Sequence, residues 1–132
     1  MSAQRGNVVD DERGASAVEF ALVIPVLLTM IIGIMQIGIM FYADAGLQQA
    51  VETGARYATI YPNPSDAQIL AKVGSSKFGL DNSRITGPSV SHGTAKGVKF
   101  VEVTMAYSVP MNFVFFQADA VSLSHTRRAY QP

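Results

Sequence analysis

The sequence predicts an α+β chain in which a long N-terminal transmembrane helix extends into a small exported domain with a short second helix and an antiparallel sheet of about three strands. Three observations carry that prediction. Residues 20–43 contain no Asp, Glu, Lys, Arg or His. Ser65 and Gln68 have the spacing of a helix-starting capping box. From Ile85 onward the vocabulary turns to Thr, Val, Ser, Gly and aromatics, with apolar and polar residues alternating.

Composition narrows the function classes. The apolar share of 48% is high for a soluble chain of 132 residues. Ten basic residues balance ten acidic ones, so no bulk charge draws the chain to nucleic acid. With no cysteine there can be no disulfide, thiolate nucleophile or cysteine metal ligand, and an exported domain must hold itself by packing.

The 24-residue run from 20 to 43 would span about 36 Å as a helix, enough for a hydrocarbon core of about 30 Å with some tilt. A cleaved secretory signal fits poorly, because the residues ahead of the run are slightly acidic and the run exceeds the usual apolar core of about 7–15 residues. Pro25 lies inside the run and is expected to kink the helix without ending it. Beyond the span the helical pattern continues to Tyr61, with Leu47 and Val51 on one face and Gln48, Gln49, Glu52 and Arg56 open to water. Gly46, Ala50, Gly54 and Ala58 recur every fourth residue and allow another helix or a sheet to approach closely. Core packing within the domain is the favoured reading of that stripe, and a filament contact is the alternative. Pro62 and Pro64 then stop the helix.

The second helix should start at Ser65 and end near Gly79, with Ile69, Leu70, Val73 and Phe78 as its apolar stripe. Val101, Val103, Met105 and Tyr107 define a half-buried strand. Residues 85–91 would pair with it across a turn at 93–97, and residues 121–126 would form a third strand. Residues 110–117 are expected to cross between strands. Their cluster of Met111, Phe113, Val114, Phe115 and Phe116 should pack on the sheet or the helix, or else form a contact surface.

The segment richest in functional signal is Arg13-Gly14-Ala15-Ser16-Ala17-Val18-Glu19-Phe20. Glu19 follows Gly14 by five residues and stands with Phe20 directly ahead of the span. A small Gly14 admits an extended backbone to a protease cleft. A carboxylate at the edge of a bilayer calls for a cation partner, and a free amine at Ala15 would supply one.

Arg13-Gly14-Ala15, Val18-Glu19-Phe20-Ala21-Leu22, Pro25, the aliphatic run to Gly33 and Ala55-Arg56-Tyr57-Ala58 together resemble the TadE-like family of pseudopilins from tight-adherence (Tad, Flp-type) pilus systems. The resemblance covers roughly the first half of the chain. It implies that a membrane-embedded prepilin peptidase cuts between Gly14 and Ala15, with Glu19 and Phe20 read in processing and assembly. It further implies a division into a cytoplasmic leader (1–14), a transmembrane helix with its periplasmic extension (15–61) and an exported pilin-like domain (62–132). Pro25, Gly33, Gln36, Gly46, Ala50 and Gly54 are the candidate helix-packing positions. Family members often carry an acidic residue where this chain has Gln36, which removes an ion pair there but leaves a hydrogen-bonding amide.

The implied partners are the peptidase, other pilins or pseudopilins, the pilus assembly platform and the cytoplasmic membrane, with the N-terminus inside the cell. Arg5 and Arg13 flank the inner end of the span, and Arg56 is the first basic residue beyond it. Two rival readings are a permanently anchored envelope assembly factor and a membrane-tethered ligand-binding domain. No metalloprotease, serine-hydrolase or phosphate-loop pattern occurs, so neither an enzyme nor a cofactor is expected. His92 and His125 stand apart with no carboxylate pattern near them in sequence, and no metal site is expected. Asp81-Asn82-Ser83 reads as a turn, and Arg127-Arg128 as a solvated strand end.

Overall fold

A computed structural model describes the backbone of residues 8–132 and the side chains from residue 14 onward. Residues 1–7 of the leader expected at 1–14, Arg5 included, therefore lie outside the described residues. Helix α1, Val8–Tyr57, is continuous for 50 residues and passes through Pro25. Its length is about 75 Å at 1.5 Å per residue. It ends four residues before the Tyr61 expected from sequence. The backbone tightens instead, with Thr59 N–H bonding to Arg56 O at 3.2 Å and Ile60 N–H to Tyr57 O at 3.2 Å. The conformational restriction ahead of Pro62 acts on Tyr61, and the preceding residues form a closing turn.

Helix α2, Asp66–Ser76, starts at a complete capping box. Gln68 N–H donates to Ser65 Oγ at 3.4 Å, while Ser65 N–H donates to Gln68 Oε1 at 2.9 Å. The helix ends at Ser76, so Phe78 sits in the connection after it. There it packs on Tyr42, with ring centroids 5.4 Å apart. Three antiparallel strands follow: β1, Ile85–Ala95; β2, Val98–Asn112; and β3, Gln117–Tyr130, in the order β1-β2-β3. The β1–β2 turn is Lys96-Gly97, both at positive φ (50° and 80°), the backbone a two-residue hairpin of right-handed twist needs.

The alternation in β2 places Val101, Val103, Met105, Tyr107 and Val109 inward. They meet Ala43, Leu47, Ala50, Val51 and Ala55 of α1, Ala58 of the turn after it, and Ile69 and Val73 of α2 in a single core. That core uses only the C-terminal third of α1. The segment before it, from Gly14 to Tyr42, contributes no buried residue.

Residues 110–117 depart from expectation. Pro110 is inside β2 at a register irregularity between Val109 and Met111, and the strand continues to Asn112. The chain does not cross over. Residues 113–116 form a tight hairpin loop in which Phe113 N–H donates to Phe116 O at 3.1 Å. Met111 packs against the core and Phe113 is half-buried, but Val114, Phe115 and Phe116 are 60%, 60% and 53% exposed. The β2–β3 hairpin outruns the core, so its tip has no second layer to enter.

Candidate functional site

Gly14, Ala15, Glu19 and Phe20 all lie exposed on α1. Ala15 and Glu19 are four residues apart, hence one helical turn apart on the same face. An amine freed at Ala15 would stand beside the Glu19 carboxylate of its own helix. Gly14 has nothing within 4 Å of the position a Cβ would take. Glycine weakens the helix at this point by about 1 kcal/mol relative to alanine, which eases the local unwinding a protease requires.

The lower part of the apolar run is exposed around its circumference, whereas higher up Thr29, Ile32, Gly33, Gln36 and Met40 form a half-buried side. Val18, Phe20, Leu22, Val26, Leu27 and Leu28 are all exposed, and steps of 100° carry them to every side of the helix. A helix apolar all round, and uncovered by its own chain over its lower part, has the surface of a membrane span or of a helix among like helices. Among the described residues, Gly14–Tyr57 is the one helix long and apolar enough to cross a membrane. Pro25 is exposed, and its carbonyl accepts from Thr29 Oγ1 at 2.7 Å. Gly33 faces the hairpin tip, with Phe113 Cε1 at 3.8 Å from its Cβ position. Gln36 Nε2 donates to Asn112 O at 2.8 Å, so the amide engages the chain's own hairpin.

Gly46, Ala50 and Gly54 are buried against the elements of the C-terminal domain. A Cβ on Gly46 would fall 2.0 Å from the Phe78 carbonyl oxygen, and one on Gly54 would fall 2.3 Å from Val73 Cγ2. Gly54 thus seats α2, and Gly46 seats the connection that follows it. Gly54→Ala should destabilise the domain by about 1–3 kcal/mol through overpacking. Val73→Ala should restore part of that loss, making the double variant more stable than the two single losses added together. Denaturation of the detergent-solubilised chain measures this cycle, and simple additivity would deny the contact.

Residues 14–56 match the family model described as TadE-like protein. This segment is TadE-like. The match covers about a third of the 132-residue chain and stops before α2 and the sheet. No curated protein and no solved structure matches the chain. The TadE-like segment contains every candidate position named from sequence, from Gly14 to Gly54.

Sequence reasoning missed how the β-domain is tied to the TadE-like helix. His125 Nε2 lies 2.7 Å from Asp44 Oδ1, and His92 Nε2 lies 2.7 Å from Asp66 Oδ1. Each histidine has a carboxylate partner after all, contributed from 81 and 26 residues away. No local spacing could signal either pair. Among the described residues no group of His, Asp and Glu is arranged to hold a metal. Arg127 is also engaged, with Nε 3.1 Å from Glu52 of α1, and Glu52 in turn takes Arg56 at 3.1 Å. Arg128 bonds to Glu102 at 2.9 Å and lies 4.0 Å over the Phe100 ring. Its pKa is raised, first by the Glu102 bond. Asp81 caps the short turn Asn82–Arg84, and the Ser83 N–H and hydroxyl hold its carboxyl below the usual range.

Proposed function

We propose that the chain is a minor pilin, or pseudopilin, of a Tad pilus, freed from a cytoplasmic leader by a prepilin peptidase that cuts after Gly14 and acting in pilus biogenesis and adhesion. The observation that carries this reading is the TadE-like match over residues 14–56, which takes in the Gly14-Ala15 bond, Glu19 and the whole span. A helix apolar all round and exposed on every side over its lower part supports it, since burial against like helices can replace burial in lipid when subunits assemble. The N-terminus faces the cytoplasm, and residues 62–132 form the exported domain, held on the outer end of α1. The work is structural, with other pilins, the assembly platform and the membrane as partners, and we assign no catalytic residue.

Intact mass of the protein from membranes containing the cognate peptidase tests this. The expected mature chain begins at Ala15, and Gly14→Phe should accumulate uncut while still inserting, because residues 20–43 are unchanged. A mature chain that retains Met1 or Ser2 overturns the processing site, and so does normal cleavage of Gly14→Phe. Cleavage at this bond also reports orientation, since the leader must then lie on the cytoplasmic side.

A further inference from the structure

The β2–β3 hairpin runs alongside α1 toward the N-terminus and passes the outer end of the apolar run. At its base, Gln131 Nε2 bonds to Ala58 O at 3.2 Å. Further along, Asn112 O meets Gln36, Phe113 comes to Gly33, and Phe115 lines a groove with Pro25, Val26, Thr29 and Met30. The loop's exposed side chains are Val114, Phe115 and Phe116, and no ionisable residue occurs between Glu102 and Asp119 other than Tyr107. An aromatic loop of this kind, left open to water, would be a costly exposure.

We propose that the loop at residues 113–116 is a second membrane-inserted element, and that its occupant is the lipid of the outer leaflet of the bilayer that α1 spans. This rests on reading α1 as a membrane span. The loop is fixed beside that span, so a bilayer that takes residues 20–36 also meets the loop. Polar groups set the depth. Gln36, Asn112 and Gln117 lie at one level, because Gln36 bonds to Asn112 and Asn112 pairs with Gln117. The exposed Asp119 lies two residues farther from the tip and must stay with the headgroups.

With the hydrocarbon boundary at that level, the loop descends about 7 Å below Asn112, the depth typical of interfacial insertion. A core of about 30 Å then reaches from Gln36 back to Ser16. Glu19 falls about 4.5 Å inside the inner boundary, within reach of the headgroups by its own side chain. Residues 37–41 occupy the outer headgroup layer, roughly 5–7 Å thick, with Tyr42 and Asp44 above it. The outer boundary thus lies about two helical turns before Ala43, where the apolar run itself ends.

The chain has no tryptophan, so single-tryptophan variants report depth without interference. Phe115→Trp, Ile31→Trp and Val98→Trp are compared in the full-length chain reconstituted into phospholipid vesicles, with lipids brominated near the headgroup against aqueous acrylamide. Phe115→Trp should emit to the blue of Val98→Trp, lose more than half its emission to the brominated lipid and resist acrylamide. Val98→Trp, at the opposite end of the sheet, should show the reverse. Val114→Trp repeats the measurement if Phe115→Trp fails to fold. A water-like Phe115→Trp beside a lipid-quenched Ile31→Trp overturns the inserted loop and leaves the span intact. Blue emission without lipid quenching also overturns it, in favour of a second copy covering the loop. If Ile31→Trp too escapes the lipid, the spanning reading of α1 falls together with the inference.

Discussion

Gly46→Val should lower the stability of the C-terminal domain by about 3 kcal/mol or more, one of the larger single-residue losses available in this chain. The reason is what stands opposite. A Cβ at position 46 would sit 2.0 Å from the carbonyl oxygen of Phe78 and 3.1 Å from its carbonyl carbon, and backbone cannot rotate aside as a side chain can. Relief requires the connection after α2 to lift from α1, which would also part Phe78 from Tyr42 and disturb Gly79, whose φ of 65° and close approach to Tyr42 leave it little room. Replacing glycine inside a helix ordinarily gains up to about 1 kcal/mol, so the predicted loss runs against the local trend. Gly74→Ala is the matching control: Gly74 is inside α2 with nothing within 4 Å of its Cβ position, and a gain of about 0.5–1 kcal/mol is expected. Thermal unfolding of the detergent-solubilised chain should show a midpoint lower by about 10 °C or more for Gly46→Val and slightly higher for Gly74→Ala. Equal midpoints for the two variants would mean that the approach of Phe78 to α1 is not a structural requirement.

Glu19→Gln should leave cleavage and insertion intact and abolish most incorporation into the pilus assembly. Among the titratable side chains, Glu19 is the last before the long apolar run. Under the proposed cleavage Ala15 becomes the amino-terminus, and its amine, with a pKa of about 7.7–8.0 for such a group, would be largely protonated at neutral pH and would face Glu19 across one turn of its own helix or from a neighbouring subunit. At about 4 Å and an effective dielectric constant of about 20, the attraction is on the order of 4 kcal/mol before desolvation is subtracted, enough to set the register of one subunit on the next. Glutamine keeps the shape and removes the charge. Insertion should be at least as favourable, since no carboxylate is then drawn toward the bilayer, so failed assembly could not be blamed on failed anchoring. The measurement is co-purification of Glu19→Gln with other pilus components, together with pilus formation in cells lacking the wild-type copy. Unchanged results in both would favour a permanent membrane anchor that does not join a filament.

The elements that are local in sequence were legible in it. An uncharged run longer than a bilayer is thick, a reciprocal Ser65–Gln68 cap and the alternation of Val101 to Tyr107 each report on residues a few positions apart. What periodicity cannot report is the partner of an apolar face. Residues 113–116 are as apolar as a core strand, yet the β2–β3 hairpin carries them beyond the last core residue of the sheet to lie beside the span. The links from Asp44 to His125, Glu52 to Arg127 and Gly46 to Phe78 escaped notice for the same reason, since each joins residues that only the packed fold brings together. The signal available for the loop was compositional: phenylalanines and a valine with no charge among them, in a domain whose core positions were already filled by the alternating strand.

The hairpin lying along α1 also has a mechanical consequence. From Ala58 down to Gly33 the helix is bound to the sheet at several heights, by Gln131, by the Asp44–His125 pair and by Gln36, so that the sheet acts as a splint. A splinted rod bends where the splint stops. Below the groove that Phe115 lines with Pro25 to Met30 the helix is single, and Pro25 lacks the N–H that would bond to the carbonyl of Ala21, the kind of gap at which helices bend. A change in tilt of the helix would therefore be taken up in the stretch from Gly14 to Pro25, while the upper helix and the sheet swing together as one lever arm.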